Sequence, residues 1–183
     1  MKASAPAEAS RKFVSAMDRA AIRERVLMRL EHNKFMLLAA APARSLDVKL
    51  AGLTAHTGFL ASMVFSSTSA LYADKPEAFD IKGKLEEIAA YGCGWIWELL
   101  DGGSAGRQAT QSDGEIGFDC ASPVVDPLRK LRALTEELGE IANAIDLLEE
   151  GPSITARQDH LKDEVVQFTA VSVAWLESLE VAS

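Results

Sequence analysis

Apolar residues recur with helical rather than strand-like spacing along most of this chain. The clearest set is Leu128, Leu131, Leu134, Leu138, Ile141, Ile145 and Leu148. These fall at steps of three and four, so they share one face of a helix. The pattern predicts a helix from Asp126 to Glu150, with Asp126 as N-cap, Pro127 in the first turn and Gly151-Pro152 as its stop. A second helix is predicted from Ala156 to Glu180. Its stretch Val165 to Leu176 (VVQFTAVSVAWL) is apolar on every side, which marks a helix buried all round.

The first hundred residues carry weaker helical signals. Positions 1–10 read as a tail of small and polar residues. A helix is expected from Arg11 to Ala41, ended by Pro42. A mostly apolar stretch follows from Leu46 to Tyr72. It contains Gly52 and Gly58, and its Ser/Thr run leaves its type open. Lys75-Pro76-Glu77 reads as the start of a third helix reaching Leu100. Asp101 to Pro123 is rich in Gly, Ser, Asp and Gln and has no apolar period, so it reads as a loop, either a lid or a plain connector. The organisation expected is a tail (1–10), an N-terminal helical region (11–101), a linker (102–125) and a helix pair (126–183). The fold class is all-α, a bundle of about five helices.

Composition supports a packed fold. The chain has 183 residues, 48% hydrophobic and 25% charged, enough for one ordinary domain. A formal net charge of −8 argues against nucleic acid as a partner, because binding it relies on cationic side chains displacing counterions. A polyanionic small substrate would be repelled too, unless cations intervened. Cys93 and Cys120 lack metal-ligand spacing and are expected as reduced thiols. No apolar leader segment stands near the start, and no uncharged apolar run is read as reaching the ~18 residues of a membrane span. A cytoplasmic protein without a membrane partner is therefore expected.

Glu164 carries the chemical interest. On a wheel of 100° per residue it falls on the apolar stripe of Phe168, Val171 and Trp175, with Gln167 at the edge. A buried carboxylate must be protonated, paired with a base or bound to a cation. Glu137 and Glu140 are three residues apart on the preceding helix, beside its leucine stripe, while Glu136 is turned outward. If the two helices pack antiparallel, Glu137, Glu140 and Glu164 converge. Mg²⁺ or Mn²⁺ would relieve their repulsion, since hard divalent ions prefer oxygen ligands. A plainer reading stands beside this one. Pairs such as Glu136-Glu137 usually face solvent, ExxE arises by chance, and Glu164 could pair with Lys162 or Arg157.

The segment TEELGEIANAIDLL (Thr135 to Leu148), followed by HLKDEVVQFTAVSVAWLESL, resembles the metal motifs of the MazG-type nucleoside triphosphate pyrophosphohydrolases. The likeness covers Asp126 to Glu180. That all-α superfamily carries ExxE on one helix and ExxD on the next. Glu137 and Glu140 match the first pair and Glu164 the first acid of the second. Gln167 stands where the last aspartate is expected, offering a carbonyl oxygen without charge. The resemblance implies a MazG-like core in the C-terminal part, with Glu137, Glu140, Glu164 and Gln167 around Mg²⁺ or Mn²⁺. It also implies an oligomer that hydrolyses a nucleoside triphosphate to the monophosphate and pyrophosphate, with water attacking the α-phosphorus. Lys130, Arg157 and Lys162 are nearby cations without an assigned role. The alternatives are a non-catalytic nucleotide- or protein-binding module, favoured by Gln167, and a plain oligomerisation module.

Leu85 to Leu100 can be laid over the Glu164 helix, with Glu87 opposite Glu164 and Tyr91 opposite Phe168. Glu31 and Lys34 then fall opposite Glu137 and Glu140. Such a match reads either as a degenerate repeat or as chance. Trp95 and Trp97 are expected in the core rather than as base-stacking residues. His160 lies one turn before Glu164, as either a surface residue or an outer partner of the site.

Overall fold

The computed structural model describes residues 16–38, 45–69, 79–99, 118–149 and 154–182. Every regular element among them is helical: α1 (Ala16–Leu38), α2 (Leu46–Thr68), α3 (Ile81–Leu99), the single turn α4 (Phe118–Ala121), α5 (Pro127–Glu149) and α6 (Ile154–Ala182). The protein is thus all-α, with five long helices among the described residues.

Local chemistry sets the helix ends. Ser45 caps α2, its hydroxyl accepting from the Val48 N–H at 3.4 Å. The helix stops at Thr68, short of Tyr72. The Ser67 and Thr68 hydroxyls donate back to the carbonyls of Val64 and Phe65, and Ser69 turns to extended backbone. Helix α3 begins at Ile81, and Lys75-Pro76, the expected start, lies outside the described residues. Asp80 is its cap, accepting from the Gly83 N–H at 2.7 Å, and Phe79 and Asp80 are not helical. Asp126 caps α5 by accepting from Leu128 N–H at 2.7 Å. The expected tail, the ends of the first helix and most of the 102–125 linker lie outside the described residues. Within that linker, α4 packs on α6 and buries Cys120.

Four helices close a ring. α2 packs on α3 and α5, and α6 packs on α3 and α5. Lys82 of α3 meets Glu180 of α6 at 2.6 Å, and Gly92 lies against Thr169, so α3 and α6 run antiparallel. Gly92 permits their close approach. A Cβ there would stand 2.1 Å from the Thr169 hydroxyl. α2 and α3 are antiparallel as well, since Lys49 pairs with Glu98 and Gly52 faces the Tyr91 hydroxyl. α1 lies across α3 and α6. Its Arg25 bridges Glu86 (2.7 Å) and Glu180, while Arg29 reaches Glu86 at 3.6 Å and Arg19 reaches Glu177 at 3.4 Å.

The core runs along α6, where every residue from Phe168 to Leu176 is buried. Phe168, Val171, Trp175 and Leu176 meet Leu85, Ile88 and Ile96 of α3 and Leu134 and Ile141 of α5 in one cluster. Each such side chain contributes ~1.5–3 kcal/mol on leaving water. The polar residues in this stretch are satisfied within the helix. Thr169 donates to Val165 O at 2.7 Å and Ser172 to Phe168 O at 3.0 Å. Trp95 is buried, as expected, but Trp97 is 39% exposed. Helix α2 departs from the membrane expectation: it is long and apolar enough to cross a bilayer, with a mean hydropathy of 1.3 over its best window. Its uncharged run from Leu50 to Thr68 counts Thr, Ser and His among its members. Phe59 and Phe65 are exposed on it.

Candidate metal centre

The hairpin of α5 and α6 brings three carboxylates together. Glu137, Glu140 and Glu164 each offer an oxygen, and the three oxygens lie within 4.8 Å of one another. Glu137 and Glu140 project from the edge of the α5 leucine face, where three-residue spacing keeps them neighbours. Glu164 comes from α6, nearly three turns into the helix and one turn before the fully buried stretch. The three differ in depth. Glu164 is 7% exposed, Glu137 is half-buried and Glu140 faces solvent, so the cluster opens on the Glu140 side.

Two carboxylate oxygens are buried without a donor, Glu137 Oε2 and Glu164 Oε2. Among the described residues the other such atoms are the Thr57 hydroxyl and the Trp95 ring nitrogen. An unsatisfied hydroxyl or indole costs ~1–3 kcal/mol, but a buried charged oxygen costs several times more. The energetic anomaly is therefore concentrated at the acidic cluster.

The titration of these groups reports the same crowding. Burial, and then the charges of Glu140, Glu164 and Glu136, push Glu137 up to about 7. Glu164 is also raised, first by burial, then by its hydrogen bond to Glu140 and by the Glu140 charge. The charge of His160 opposes the rise. Glu137 so placed holds a proton near neutrality unless a cation takes its place. A divalent ion that prefers oxygen ligands fits this donor set.

The neighbouring cations are engaged elsewhere. Lys162 pairs with Asp159 at 3.2 Å, and Arg157 donates to the carbonyls of Leu147 and Leu148 at the end of α5. Neither pairs with Glu164. The base beside Glu164 is His160, whose Nδ1 stands 3.2 Å from Glu164 Oε1. Lys130 is buried in the first turn of α5, two to three turns before Glu137 and Glu140, and donates to the Ser178 hydroxyl. Gln167 is half-buried three residues after Glu164 and brings an amide rather than a fourth carboxylate. Glu87, laid opposite Glu164 in the sequence, pairs with Lys84 and lies 3.7 Å from His56 Nδ1, so its charge is met by the lysine.

The antiparallel register places one further cation at the same end of the bundle. Carried from Gly92–Thr169 and Lys82–Glu180, it sets Glu164 level with the last turn of α3 and hence with the first turn of α2. Lys49 is there, its side chain 11% exposed, paired with Glu98 and 6.0 Å from the centre of the Trp95 ring. Nothing in the local sequence around Lys49 marks it, because only the packing of α2 on α3 brings it to this level.

No family model matches this chain, and no curated protein or solved structure does either.

Proposed function

We propose that this protein is a divalent-cation-dependent hydrolase that cleaves a nucleoside triphosphate to the monophosphate and pyrophosphate. The observation that carries the reading is Glu164. Its Oε2 is buried, has no donor, and belongs to the trio with Glu137 and Glu140. A bound cation would relieve the repulsion within such a cluster, as protonation otherwise does.

Glu137, Glu140 and Glu164 would hold Mg²⁺ or Mn²⁺, with Gln167 as a neutral fourth neighbour. When bound, the ion would neutralise phosphate charge and acidify a coordinated water. The chain's own residues add three things. Helices α5 and α6 hold the acids on rigid elements of a packed bundle, so little reorganisation is needed on binding. The exposed position of Glu140 leaves the cluster open to solvent and substrate on that side. A carboxylate of the trio not committed to the ion is placed to accept the proton of an attacking water. The motif resemblance of Thr135 to Leu148 supplies the substrate class. The expected homo-oligomer and cytoplasmic setting belong to the same proposal.

Gln167 favours a second reading, in which the same site binds a cation and nucleotide without turnover. One assay decides between them. Purified protein is incubated with nucleoside and deoxynucleoside triphosphates and Mg²⁺ or Mn²⁺, and pyrophosphate is measured. Release abolished by Glu140→Gln supports the hydrolase. Stabilisation by nucleotide without release supports the binding module. A protein indifferent to both cation and nucleotide refutes both readings.

A further inference from the structure

Resting on the reading of the acidic trio as a cation site, we propose that His160 is a positioning residue that aims Glu164 at the ion. His160 stands one turn before Glu164 on α6, with Nδ1 3.2 Å from Oε1. Its side chain is 48% exposed, whereas that of Glu164 is 9% exposed. The imidazole is therefore the more solvent-facing member of the pair. The atoms that converge on a common point come from Glu137, Glu140 and Glu164, and His160 is not among them. It stands behind the cluster, not in it.

This arrangement divides the two oxygens of Glu164. Oε1 faces the ring nitrogen at 3.2 Å and Oε2 is left without a donor. With Nδ1 donating to Oε1, the carboxylate would lose the freedom to rotate its other oxygen away. An outer partner of this kind raises affinity by fixing the ligand before the ion arrives, and its loss typically costs ~10–100-fold in binding. The role also bears on the missing fourth acid. With Gln167 contributing no charge, the trio relies on orientation more than a four-carboxylate site would. Lys162 and Arg157 cannot take over this task, being engaged by Asp159 and by the α5 carbonyls.

The test is Mn²⁺ binding by calorimetric titration of the full chain, beside the melting temperature of the cation-free protein. His160→Ala is expected to weaken Mn²⁺ binding ~10–100-fold. Its cation-free melting temperature should stay near wild type, because the residue is largely exposed. His160→Asn keeps an N–H donor close to the place of Nδ1 and should restore most of the affinity. Glu164→Gln should abolish binding. If His160→Ala binds Mn²⁺ as tightly as wild type while Glu164→Gln does not, the positioning role is wrong and the cation site stands. If His160→Asn is as weak as His160→Ala, the effect does not come from the Nδ1 donor, and the role is again overturned. If wild type shows no saturable Mn²⁺ binding, the cation site itself falls and the role of His160 with it.

Discussion

Replacing Glu137 by Gln is the sharpest probe of the acidic cluster, because its effect on stability should change sign with cation. In the cation-free protein Glu137 is pushed from 4.5 up to about 7. Its folded form therefore keeps a proton that the unfolded chain has released between those values, and stability falls as pH rises through about 7. At 1.36 kcal/mol per pK unit the full loss is ~3 kcal/mol, and water around a half-buried group reduces it to ~1–2 kcal/mol. Glu164, raised as well, adds a loss of the same sign. Glutamine carries no charge, so Glu137→Gln removes this penalty. For a chain of this size each kcal/mol is worth ~2–4 °C, so the variant should melt ~3–6 °C above wild type at pH 8 with chelator. At pH 5, where Glu137 is already protonated, the two should melt together. Saturating Mn²⁺ should reverse the order, since an ion at a hundred times its Kd stabilises the intact site by ~2.7 kcal/mol. The assay is a set of thermal melts at pH 5 and 8, with chelator and with Mn²⁺. A variant that melts below wild type at pH 8 in chelator would refute the crowded-carboxylate account. So would a gain of equal size at both pH values.

Two predictions concern the frame that holds the site. Gly92→Ala puts a methyl group against the Thr169 hydroxyl where α3 crosses α6, and should cost ~1–3 kcal/mol by denaturant titration. The double variant Gly92→Ala/Thr169→Ala should recover part of that loss; no recovery would mean that the two helices do not meet there. Asp126→Ala removes the acceptor for the Leu128 N–H and should cost ~1 kcal/mol, measured in the same way, whereas Asp126→Ser should retain most of the stability.

The all-helical class, the α5 cap at Asp126 and the buried stretch of α6 were legible because each rests on local pattern. Leucines at steps of three and four, a capping acid before a proline, and a helix apolar on all sides declare themselves whatever they pack against. The wheel also pointed Glu164 inward, since its position relative to Phe168 and Trp175 is a property of one helix. The start of α3 was misread because a proline early in a helix is a common signal. Asp80, whose side chain caps the helix, competes with it only through a hydrogen bond to Gly83.

Other features depended on residues far apart in sequence. That Glu137 and Glu140 meet Glu164 follows from the antiparallel hairpin of α5 and α6. The partner of Glu164 proved to be His160 because Lys162 and Arg157 find acceptors in Asp159 and the α5 carbonyls. Lys49 reaches the level of the acids only because α2 and α3 each run antiparallel to their neighbours. Periodicity assigns a residue to a face of its own helix, and this chain's periodicity did so for most of its core. Which faces meet, at what height, and which charges are left without partners is decided by the packing of α6 between α3 and α5. No local pattern encodes that outcome, because it depends on the fit of all the helices at once.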